Sequence, residues 1–146
     1  MNTELVARTW QALGDRQAQF IDAFYDRFFE RFPGYRKLFP HKLRPAHLEK
    51  MVLTLALLAV LSDDRAAIAP RLHKLGSAHK PYDLELRDFN NFKAVFIEVL
   101  GPQLGRHWTD AAAAAWNEAF DVVLIPLLRE GMDGDRARGR RAPAGS

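Results

Sequence analysis

Residues 15–32 read DRQAQFIDAFYDRFFERF and are followed by Pro33 and Gly34. Within this stretch Ile21, Phe24, Tyr25, Phe28, Phe29 and Phe32 recur at spacings of three and four, while Asp22, Asp26, Arg27, Glu30 and Arg31 fall on the other side. A helix advances about 100° per residue. The pattern therefore predicts an amphipathic helix with a wide aromatic face, ended by the proline–glycine pair.

Working outward, the same periodicity returns everywhere and no stretch alternates like a strand. A first helix is expected from Thr3 to Leu13, closed by Gly14. A short turn is expected over Tyr35–Phe39. A long helix should start at Pro45, a good first-turn residue, and stop before Ser62-Asp63-Asp64. The next is expected from Pro70 to Lys80, because Pro81 disfavours helical geometry in the residue before it. Another should begin near Asp88. The last should begin after Thr109 as N-cap, run to Gly131 and kink at Pro126. The fold class is therefore all-α, with residues 1–131 as one domain and 132–146 as a basic, solvated tail.

Bulk properties narrow the functions. The chain has 146 residues and 48% hydrophobic residues, enough for one real core. It has no cysteine. That excludes disulfides, thiolate ligation and covalent attachment of haem through C-x-x-C-H. The net charge is +3, and residues 133–141 carry +2 of it through Arg136, Arg138, Arg140 and Arg141 against Asp133 and Asp135. The body is nearly neutral and shows no basic stripe, so nucleic acid is not an expected partner. The N-terminus lacks the pattern of a signal peptide. The apolar run Met51–Leu61 is too short to span a bilayer. A cytoplasmic protein is expected.

The histidines carry the chemistry. Leu72, Leu75, Gly76 and His79 share one helical stripe, in which Gly76, one turn before His79, lets something come close, whereas His73 lies about 120° away among Arg71 and Lys74. An imidazole on an apolar face is either a core histidine with both nitrogens bonded or a ligand. The carbonyl of Leu75, four residues back, can take the Nδ1 proton of His79 and leave Nε2 for a metal. His47 likewise begins a stripe with Met51, Leu55 and Leu58. No Asp or Glu joins either stripe. Two imidazoles with nothing else suit haem, where the porphyrin supplies four ligands. Periodicity alone leaves a haem protein, another helical bundle and a haem-free interaction module open.

The segments FYDRFFERFPGYRKLF at 24–39, HLEKM at 47–51, LGSAHK at 75–80 and LGRHWTDAAAAAW at 104–116 resemble the globin family, in particular neuroglobin-like and bacterial single-domain haemoglobins. The resemblance implies a globin fold around one haem b. It implies His79 as the proximal iron ligand and His47, 32 residues earlier, as the distal histidine and alternative sixth ligand. It further implies Phe39 stacked on the porphyrin and Tyr25 and Met51 in the distal pocket. Lys50 would lie near the propionates, Leu75 beside the proximal histidine and Phe89 against the proximal face. Flavohaemoglobins carry a tyrosine where this chain has Phe89, and phenylalanine cannot join the hydrogen-bonded network that makes the proximal histidine more electron-donating.

The function so implied is reversible binding of dioxygen, with nitric oxide and carbon monoxide as further ligands, by a binding protein rather than an enzyme. Phenol and imidazole donors in a dry pocket would stabilise the partial negative charge on dioxygen. A nitric oxide dioxygenase served by an external reductase, and a redox or gas sensor cycling through a bis-histidyl state, are the alternatives.

Overall fold

The computed structural model describes residues 3–38, 45–61, 63–79 and 82–134, with the backbone alone for 45–49. Its helices are α1 (Thr3–Ala12), α2 (Gln17–Arg31), α3 (Pro45–Leu61), α4 (Arg65–His79), α5 (Leu86–Leu104) and α6 (Asp110–Gly134). Short 3₁₀ turns cover Gly14–Arg16, Pro33–Leu38 and Gly105–His107. There is no strand among the described residues, as the all-α reading expects.

The aromatic face of α2 is the centre of the core. Phe20, Ile21 and Phe24 are fully buried, and Tyr25 and Phe28 nearly so. This face packs on α5 and α3. Phe24 lies 4.6 Å from Phe92 between ring centres, and Phe20 meets Phe96 edge-on at 5.0 Å. Phe96 meets Phe120 of α6 at 5.0 Å. Burying each such ring contributes about 1.5–3 kcal/mol, so the cluster holds α2, α5 and α6 in one unit. α3 touches both α2 and α4.

Several boundaries differ from the sequence reading. α4 begins at Arg65, a turn before Pro70, because Asp64 caps it: its Oδ1 accepts from Ala67 N at 3.2 Å. Pro70 then sits inside the helix. Both Pro70 and Ala66 are exposed, so water can satisfy the carbonyl that loses its N–H partner. α5 begins at Leu86 rather than near Asp88, since Glu85 and Asp88 form a capping box. The corner expected as a short turn at Tyr35–Phe39 is 3₁₀ over Pro33–Leu38. Thr109 caps α6, its Oγ1 accepting from Ala112 N at 3.0 Å.

Pro126 acts on α6 upstream of itself. Ala119–Leu124 is π-helical, and Ile125 N–H donates five residues back to Phe120 O. An extra residue per turn absorbs the bond that Pro126 cannot make. The helix then continues through Gly134 with Met132 buried. Residues 132–134 thus belong to α6 and not to the tail expected from 132; residues 135–146 lie outside the described set. By length and composition α6 could cross a membrane, which the sequence reading did not find. Trp116, Phe120, Val123 and Leu127 of this helix are buried in the core, which marks it as a core helix.

Candidate functional site

His79 is the last residue of α4, two positions before Pro81. Its Nδ1 lies 2.8 Å from the carbonyl oxygen of Leu75. A carbonyl oxygen can only accept, so Nδ1 carries the proton, and in the neutral ring Nε2 is then the nitrogen with the lone pair. This is the bond the helical spacing predicts. The ring is half-buried and meets Tyr82 edge-on at 6.1 Å, a neighbour the sequence reading did not pick out. On the same helical stripe Leu72 is buried and Leu75 half-buried.

Gly76, one turn before His79, was expected to let something approach closely. The structure shows what does: the backbone of α6. A Cβ on Gly76 would lie 2.8 Å from the carbonyl carbon of Leu128 and 3.0 Å from its Cα. Gly131 repeats the contact in reverse, where a Cβ would lie 2.7 Å from the Cα of His73. Beside this crossing, the His73 ring nitrogen Nε2 sits 3.1 Å from Glu130.

Tyr25 is buried on α2, with its ring against Phe24 at 4.9 Å and Phe29 at 5.8 Å. Burial pushes its phenol pKa far above the ordinary value, because the phenolate would lose its hydration. The side chain stays an O–H, able to donate. Met51 is half-buried on α3 against the core, and Lys50 is exposed. Phe89 is buried on α5. His47 belongs to the first turns of α3, but its side chain lies outside the description, as does the whole of Phe39. The structure therefore joins Leu75 and His79 directly and places Tyr25, Met51 and Phe89 on three helices that share one core.

One group was missed from sequence. Tyr35 Oη donates to Asp88 Oδ1 at 2.5 Å and accepts from Asn91 Nδ2 at 3.0 Å, with its ring stacked on Phe28 at 4.9 Å. Asp88 Oδ2 meanwhile accepts from Glu85 N at 2.8 Å. One carboxylate thus both caps α5 and ties down the Pro33–Leu38 corner. The i, i+3 spacing of Glu85 and Asp88 was the available signal for the cap; the tyrosine partner, 53 positions away, left none.

Comparison with known proteins identifies the class. The family described as Globin matches residues 22–126. Globin CTT-VIIB-4 of Chironomus thummi thummi is 29% identical over 132 residues, covering 82% of this chain and 80% of that globin. An anaerobic nitrite reductase of Gossypium hirsutum is 26% identical over 141 residues, covering 86% of each chain. The chain belongs to the globin family, whose members typically hold haem.

The residues present fit such a group. Among the described residues no three His, Asp or Glu side chains gather around a bare metal ion. A single imidazole with a fixed tautomer is instead the donor set that a porphyrin, with four nitrogens of its own, completes. The half-buried apolar side chains of Met51, Leu75, Leu84 and Phe92 border the core and can give it a dry wall.

Proposed function

We propose that this globin holds one haem b through Nε2 of His79 and binds dioxygen reversibly. The observation that carries the reading is the 2.8 Å bond from His79 Nδ1 to the Leu75 carbonyl. It fixes the tautomer, orients the ring and makes Nε2 a better donor. Haem iron, when bound, supplies reversible coordination of a diatomic gas.

The protein's own part is positional and electrostatic. Tyr25, kept protonated by burial, offers an O–H to the negative end of a polar gas ligand, in a setting where the bond is stronger than in water. In this reading Met51 walls the distal side, Phe39 and Phe89 flank the macrocycle and Lys50 faces the propionates. His47 serves either as a second donor or as an internal sixth ligand. Phe89 has no hydroxyl to pass to the proximal side. That favours holding a gas over nitric oxide dioxygenation, which would also require an external reductase.

The test is the ferrous absorption spectrum with and without oxygen, followed by the oxygen release rate of Tyr25→Phe. A stable oxygenated spectrum and faster release in Tyr25→Phe are expected. Immediate oxidation on mixing with oxygen would contradict the binding function, and an unchanged release rate would remove Tyr25 from the pocket. Sharp visible bands without gas would assign His47 as the sixth ligand; a single broad band would leave it a donor only.

A further inference from the structure

We propose that Gly76 and Gly131 are positioning residues for the iron ligand: their paired contacts set how deeply the helix bearing His79 sits on α6. The proposal rests on the His79 reading above. Residues 73 and 76 of α4 meet 131 and 128 of α6, so the two helices run antiparallel at the crossing. Each glycine meets main chain of the other helix, not the end of a flexible side chain. Backbone cannot swing aside, so an added methyl must push the helices apart or slide one along the other. Gly76 and His79 are separated by less than one turn of the same helix. The Nδ1 bond to Leu75 ties the imidazole to that turn. Any displacement of α4 is therefore handed to Nε2. His73 and Glu130, bonded beside the crossing, hold the two helices at the same place from the surface side.

The test is resonance Raman of the iron–histidine stretch in the full-length ferrous protein just after photolysis of carbon monoxide, which reports the proximal bond whatever the resting coordination. Gly131 lies on α6, outside the helix that bears His79, so Gly131→Ala is the principal variant and Gly76→Ala the second. Gly34→Ala is the control, because a Cβ there meets nothing within 4 Å. Gly131→Ala should shift the band and change carbon monoxide rebinding by about twofold or more, while Gly34→Ala leaves both unchanged. In a His79→Gly background supplied with imidazole, the ligand is no longer tied to α4, and Gly131→Ala should then have no effect on the band. A lowered melting temperature with an unmoved band would overturn the proposal and leave the glycines as packing residues; so would failure of Gly131→Ala to fold. An iron–histidine band that survives His79→Gly without imidazole would instead refute the ligand assignment itself.

Discussion

Tyr35 Oη donates to Asp88 Oδ1 at 2.5 Å, joining the corner that leads toward Phe39 to the start of the helix that carries Phe89. The same carboxylate accepts from Glu85 N at 2.8 Å. Tyr35→Phe keeps the ring stacked on Phe28 and loses only the hydroxyl, so it should cost about 1 kcal/mol at this half-buried site. Asp88→Ala loses the helix cap as well and should cost about 2 kcal/mol. Urea unfolding of the two variants checks the order. Equal losses would mean that the cap contributes nothing.

The tyrosines set an alkaline limit. Both Tyr25 and Tyr35 have phenol pKa values raised above the ordinary 10.0, chiefly by burial, and for Tyr35 also by donation to Asp88. The folded chain therefore keeps protons that the unfolded chain gives up. Their contribution to stability is fully present below pH 10 and declines as pH rises above it. The urea midpoint should fall as pH rises above about 10, and Tyr25→Phe should weaken that fall. A midpoint that is flat in pH, or identical in the variant, would contradict the assignment.

A buried polar network joins α1 and α6. Trp116 Nε1 donates to Thr9 Oγ1 at 2.7 Å, and Thr9 Oγ1 reaches Leu5 O at 2.7 Å. Both side chains are buried, so this bond ties α6 to α1. Thr9→Val has nearly the same shape but leaves the indole N–H unpaired, at a cost of about 1–3 kcal/mol. Thr9→Ser keeps the acceptor and should lose less than Thr9→Val. Calorimetric melting of the pair decides it; the reverse order would show that the methyl group, not the hydroxyl, matters there.

What could be read from the sequence was local. The aromatic face of α2, the Thr109 cap and the phase of His79 relative to Leu75 all follow from spacings within a few turns of one helix. What could not be read depends on partners far along the chain. Gly76 announced a close approach, but Leu128, 52 positions on, gave no sign that it was the approaching group. Pro70 looked like a helix start because a proline is costly inside a helix; Asp64 as cap and an exposed first turn overrode that. Pro126 foretold a disturbance in α6, but not that Ala119–Leu124 would absorb it as a π segment. For the candidate site, the burial of Tyr25 and the Nδ1 bond of His79 to Leu75 were legible because both follow from helical phase, which is decided locally. The link between Tyr35 and Asp88 was not, because it joins a corner to a helix start through tertiary packing.

The most direct measurement of the central claim is haem titration of the wild type beside His79→Gly, with and without added imidazole, followed by the Soret band. The account predicts one tightly held haem in the wild type, loss of stable binding in His79→Gly and recovery of the wild-type spectrum when imidazole fills the vacated place. A His79→Gly protein that holds haem with an unchanged spectrum in the absence of imidazole would contradict it.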